Sequence, residues 1–225
     1  MFKKPFKVKS QIQLKSSEKK KFANELKTYF PALTDEDVSF FSNNKESIMK
    51  TKITTFNEEL VEVYVVEKIP MFFDIVDSNI KLPTIFMVWK FPHILPTITT
   101  NSFVLEKLKN GADLFLPGVL AEGLLYDERE FRRKDPLGIN LIDNKATIAV
   151  GHCLMDKKEI LDSQIENHRG KVVQIFHIVG DNLYKFHPKP ELVRLGPPEW
   201  VSIPRFFKNL VLAFDLFLQI IFRLH

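Results

Sequence analysis

The sequence predicts an α+β fold in two small units followed by an apolar tail, and three observations carry that prediction. Runs of β-branched and aromatic residues alternating with polar ones recur from Ile48 to Phe186, which is the period of strands. Helical spacing is confined to short stretches, most of them early. A proline cluster at 188, 190, 197 and 198 then breaks the pattern, and a strongly apolar segment begins near Ile203. The expected divisions are residues 1–91, an α+β unit; 92–187, a mostly β unit; and 188–225, a Pro-rich linker with an apolar helical tail.

The elements follow in order. Lys3 to Leu14 alternates lysine with Phe6, Val8, Ile12 and Leu14, the pattern of an edge strand with one face on the core. Ser16-Ser17 is placed to cap a helix carrying Phe22, Leu26 and Tyr29 or Phe30, which Pro31 ends; Lys19, Lys20, Lys21 and Lys27 fall mostly off its apolar stripe. Thr34-Asp-Glu-Asp opens a second helix with acids at its positive end. Strands are expected over Ile48–Phe56, Leu60–Val66 and Met71–Ile75, then a short helix over Pro83–Phe91.

The second unit begins with a strand at Thr97–Thr100, and Asn101 and Ser102 supply cap oxygens to a helix with Phe103, Leu105 and Leu108 on one face. Gly111 is the left-handed stop, Leu114–Leu116 is extended, and Pro117-Gly118 turns the chain. Leu120 to Pro136 reads as an irregular, mixed-charge loop. Strands at Leu137–Ile142, Ala146–Met155 and Lys171–Val179, a turn at Asp143-Asn144, a helix at Asp156–Ser163 and a last strand at Asn182–Phe186 complete a small barrel.

Composition narrows the function. With 225 residues, 45% apolar and 27% charged, the chain buries a sizeable core. A single cysteine, Cys153, excludes an internal disulfide, and no leader pattern opens the sequence, so a reducing, cytoplasmic setting is expected. The net charge of +4 is uneven: nine lysines and two glutamates lie between Met1 and Tyr29. Such an arm suits phosphate backbones, acidic lipid headgroups or acidic protein surfaces, or it is simply a solvated face.

Catalysis is not expected. Cys153 and His152 are neighbours in an apolar strand and point to opposite faces, so they do not chelate one metal. His93, His168, His177 and His187 lack the spacing of a zinc site, and no phosphate-binding glycine loop is present. No metal and no cofactor are expected.

The stretch Gly111-Ala-Asp-Leu-Phe-Leu-Pro-Gly-Val119, after a strand and short helix, resembles the opening of a PUA domain, a small RNA-binding pseudo-barrel. Thr84-Ile-Phe-Met-Val-Trp-Lys-Phe-Pro-His-Ile-Leu-Pro-Thr-Ile-Thr-Thr100 and Val104-Leu-Glu-Lys-Leu108 resemble the ligatin (eukaryotic translation initiation factor 2D) family, and Met1-Phe-Lys-Lys4 its smaller malignant-T-cell-amplified-sequence relatives. The similarity runs to about Phe186.

The resemblance implies a pre-PUA domain followed by a PUA domain, RNA binding, docking on the small ribosomal subunit and its rRNA, and GTP-independent placement of tRNA in the peptidyl site with a part in ribosome recycling. The family's later winged-helix and SUI-type modules are not found after Phe186, which implies a separate SUI-domain partner for those activities. The residues it points to for RNA contact are Lys19, Lys20 and Lys21; Gly111, Ala112 and Asp113; Pro117 and Gly118; and Arg132, Arg133 and Lys134. The turns a barrel requires explain the glycines equally well, and Phe115 is either a base-stacking ring or core.

The tail, Phe206–Phe222, has the spacing of a helix with Lys208, Asp215, Gln219 and Arg223 as its polar stripe. Its apolar core, Leu210–Phe222, is too short for a bilayer span of about 20 residues. Packing on the folded part or capture of a partner remain open for it, and a protein-interaction or membrane-associated adaptor is the rival reading of the whole chain.

Overall fold

The computed structural model describes residues 1–43, 47–78, 80–165 and 169–202. The expected tail helix and His168 lie outside these residues. The first unit is an antiparallel meander: β1 (Lys7–Gln13), β2 (Ile48–Thr54), β3 (Leu60–Val66), β4 (Ile69–Ile75) and β5 (Ile80–Pro83) pair in sequence order. Helices α1 (Ser16–Tyr29) and α2 (Asp35–Ser42) join β1 to β2. They cover one face, where the Phe22 ring stacks on Tyr64 with centroids 4.2 Å apart and meets Phe72 edge-on.

Local chemistry sets the helix ends. Thr34 accepts from the Asp37 N–H at 3.1 Å while Asp37 accepts from the Thr34 N–H at 2.8 Å, the reciprocal box the sequence announces. Ahead of α1 the cap differs from expectation. Lys15, not a serine, is the boundary residue, and its N–H is satisfied by Glu18 at 2.7 Å.

The alternation in β1 does not mark a buried face. Val8 is 48% and Ile12 59% exposed, because the strand is an edge with a register shift between Val8 and Ser10, and the core is reached by Phe2 and Leu14 on either side of it. Strand β5 was not foreseen: four residues ending in proline carry too little pattern.

Short helix α3 (Ile85–Lys90), capped by Thr84, leads to the second unit. There β6 (Thr97–Thr100), α4 (Leu105–Lys109), β7 (Leu114–Phe115), α5 (Ala121–Tyr126), β8 (Pro136–Leu141), β9 (Asn144–Cys153), α6 (Lys157–Ile165) and β10 (Lys171–Ile178) follow. They form a curled sheet in the order β6-β8-β9-β10-β7, with β6 parallel to β8. Helix α5 lies inside the stretch expected to be irregular, since Ala121–Tyr126 has enough apolar residues to bury Gly123 and Leu124.

The strand expected over Asn182–Phe186 is absent. Asp181 is hydrogen-bonded to His177 Nδ1 at 2.8 Å and accepts from the Ile178 and Tyr184 N–H groups, folding the chain into a 3-10 turn at Tyr184–Phe186. The Pro-rich segment is not a free linker either. Asn144 donates to the Val193 carbonyl at 2.9 Å and accepts from the Leu195 N–H at 3.0 Å, Lys145 pairs with Glu199, and Trp200 is buried.

One apolar core runs through both units. Phe2 meets Phe73 of the first sheet and His177 of the second edge-on, with centroids 5.3 and 6.3 Å apart. Trp89 donates to the Thr147 carbonyl at 2.7 Å. No helix among the described residues is long and apolar enough to cross a membrane.

Candidate nucleic-acid interface

The turn from α4 through β7 to α5 is built by its glycines and one carboxylate. Gly111 has φ +91°, in the left-handed region that ends a helix, and its N–H bonds the Leu108 carbonyl. Lys3 donates to the Asn110 carbonyl and covers Gly111, where a Cβ would stand 2.6 Å from its Nζ. Asp113 accepts from the Ile175 N–H at 3.1 Å and pairs with Lys171 at 3.0 Å, tying the turn to β10. The Gly118 carbonyl accepts from the Thr100 hydroxyl at 2.6 Å, and a Cβ at Gly118 would stand 3.0 Å from the Leu114 side chain. These residues shape the turn, while Gly111, Ala112 and Pro117 remain exposed on it.

Two aromatic rings emerge beside that turn. Phe115, 44% exposed, is paired in register with Lys171, and the next N–H, that of Leu116, bonds the Gly170 carbonyl, which brings exposed Arg169 alongside. Phe103 is 74% exposed, contrary to its expected place on the apolar helix face. Ser102–Val104 form a 3-10 turn, whose period of three rotates Phe103 away from Leu108, and Asn101 gives no side-chain cap. An aromatic face flanked by cations and open backbone suits an unpaired base and its phosphates. Phe103, Arg169 and Lys171 were not foreseen; the pairing of β7 with β10, which brings Lys171 to Phe115, is long-range, and the exposure of Phe103 comes from its 3-10 turn.

The other expected residues fall in separate places. On α1, Lys20 and Lys21 are exposed, with Lys21 3.9 Å from Glu25, whereas Lys19 is 5% exposed on the packed side, so the three do not form one cationic row. Arg132, Arg133 and Lys134 lie in the turn before β8. Arg133 is held by both Glu159 oxygens at 3.0 and 2.9 Å, and Lys134 sits at φ +76° with its N–H on the Cys153 carbonyl. Arg132 and Lys134 keep side chains without partners among the described residues.

Cys153 is buried and its thiol donates to the Arg132 carbonyl; burial pushes its pKa up to about 11. Burial lowers the pKa of its neighbour His152. Both shifts favour the neutral side chains.

Comparison with known proteins agrees with this architecture. Residues 2–92 match a family of pre-PUA-like domains and residues 95–182 match the PUA domain of eukaryotic initiation factor 2D, so the two together take in most of the chain. Eukaryotic translation initiation factor 2D of Homo sapiens is 33% identical over 88% of this chain, which spans 32% of that protein. Thus the chain spans about a third of the length of these curated relatives. Translation machinery-associated protein 20 of Saccharomyces cerevisiae is 25% identical over 80% of this chain and 93% of its own.

Among solved structures, a PUA-domain protein of Aeropyrum pernix K1 superposes with a TM-score of 0.63 at 20% identity, covering 82% of this chain and 93% of that one. A conserved PUA-domain protein of Thermoplasma acidophilum gives 0.56 at 21%, covering 80% and 100%. With an initiation-factor PUA domain set behind a pre-PUA-like domain and 33% identity to the human factor over 88% of the chain, the chain belongs to the eukaryotic translation initiation factor 2D family.

Proposed function

We propose that this chain acts in the cytoplasm by binding and not by catalysis, docking on the small ribosomal subunit through rRNA. The observation that carries the reading is Phe115, exposed on the PUA turn between Arg169 and Lys171. The ring offers a stacking face and exposed Arg169 offers phosphate contact beside Lys171, whose charge Asp113 already balances in part, while Lys20 and Lys21 on α1 add a second, purely electrostatic contact. In placement of tRNA in the peptidyl site and in ribosome recycling, as the family implies, these two domains supply the RNA contact and act together with SUI-type modules.

Co-sedimentation with purified small subunits over a salt series tests this. Binding is expected to weaken with salt. In the Lys20→Ala/Lys21→Ala variant the slope of log affinity against log salt becomes shallower by roughly one to two units. Phe115→Ala is expected to weaken binding at every salt concentration with the slope unchanged, because stacking releases no counterions. Absence of binding at low salt by folded protein would overturn the reading.

A further inference from the structure

Both tryptophans of the chain line one cleft, and its chemistry is unlike that of the basic surfaces. The cleft, about 1060 Å³, lies between α3, α5, the sheet and the segment that follows the prolines. Trp89, Tyr126 and Trp200 line it, and Gly123 admits the Trp200 ring, which would stand 3.2 Å from a Cβ there. Asn140 reaches the cleft from β8; it is only 5% exposed, and its amide oxygen has no hydrogen-bond partner among the described residues. A buried amide without a partner is unfavourable unless a ligand completes it.

The charges select the ligand. Arg129 is paired with Asp127 at 2.6 Å and Lys145 with Glu199, which leaves Glu128, exposed and without a partner among the described residues, as the surplus charge. Phosphate is therefore repelled, whereas a guanidinium is attracted both by the carboxylate and by the aromatic faces. Next to the cleft residue Lys145, Asn144 already holds backbone through its side-chain amide, bonding Val193 and Leu195 of the chain's own Pro-rich segment. Asn140, four residues earlier, offers the same amide chemistry.

We infer that this cleft binds an extended, proline- and arginine-containing peptide segment of a partner protein. The aromatic walls take proline rings, as they do wherever polyproline segments are recognised; Asn140 takes a peptide group, and Glu128 an arginine. The inference stands apart from RNA docking, since it uses none of the residues assigned to that surface.

Because both tryptophans are in the cleft, intrinsic fluorescence of the full chain reads its occupancy directly. The probe is a synthetic decapeptide alternating proline and arginine, with the same peptide carrying glutamate for arginine and adenosine monophosphate as comparisons. A saturable change is expected with the arginine peptide alone, weakened at least tenfold in Asn140→Leu and several-fold in Glu128→Lys. Asn140→Leu removes a polar group that has no partner, and Glu128 is exposed, so both variants are expected to keep the wild-type melting temperature within a few degrees. Failure of the folded wild type to respond would overturn the inference, as would equal affinity in both variants or a stronger response to the nucleotide or the glutamate peptide.

Discussion

Phe2 and Asn182 are joined twice: the backbone N–H and the side-chain Nδ2 of Asn182 both donate to the Phe2 carbonyl at 2.9 Å. These two hydrogen bonds hold the Phe2 ring between Phe73 of the first sheet and His177 of the second. The two units therefore share one wedge.

Removing that wedge is expected to uncouple them. Phe2→Ala deletes a ring that is almost fully buried, at a cost of about 3–5 kcal/mol by the usual range for such truncations. In urea, with unfolding followed by circular dichroism and by tryptophan fluorescence, the wild type is expected to give one coincident transition. The variant is expected to give two.

A stabilising change is available at the β3–β4 turn. Val66 pairs with Ile69 across Glu67 and Lys68, whose φ angles are +48° and +72°, a two-residue turn that favours Asn-Gly. Glu67→Asn with Lys68→Gly relieves the left-handed strain and is expected to raise stability by about 1 kcal/mol, read as a shift in the urea midpoint at constant slope.

Acid stability depends on Asp127. Burial alone would raise its pKa, but hydrogen bonds and charge from Arg129 and the bond from the Thr97 N–H outweigh it, and the folded value lies below the ordinary 3.8. A carboxyl lowered in the folded state contributes stability that is complete above its unfolded value and lost as pH falls through the folded one. Melting temperature from pH 6 to pH 2 is expected to drop less steeply in Asp127→Asn than in the wild type, from a lower starting point.

The Cys153 thiol is expected to resist alkylation. With its pKa at about 11 and its side chain buried, the reactive thiolate is scarce at pH 8. Iodoacetamide labelling followed by mass spectrometry is expected to be slow in folded protein and fast in urea.

What was legible in the sequence is what local chemistry decides. Thr34 announced its capping box, Gly111 its left-handed turn and Leu60–Val66 its strand, since each depends on residues within a few positions. The misreadings are tertiary. Val8 and Ile12 alternate like buried residues yet sit on an edge, and Lys19 is turned inward although its neighbours are not. Phe115 and Lys171 became neighbours only through a strand pairing across 56 positions. Asp181 shows the same limit at shorter range, because its bonds to both sides replaced an apparently good strand with a turn.

The contact between Phe2 and Asn182 also has a meaning in time. At ordinary synthesis rates, roughly 10 to 40 seconds separate the making of the two residues. Once Pro83 has been made, the first sheet has its five strands but not the clamp that seats Phe2, so the ring and the face of Phe73 are open to other apolar surfaces. The nascent chain thus stays unsealed until its second unit has emerged, and a chaperone that shields the first unit would have the closing of the second as its signal to leave.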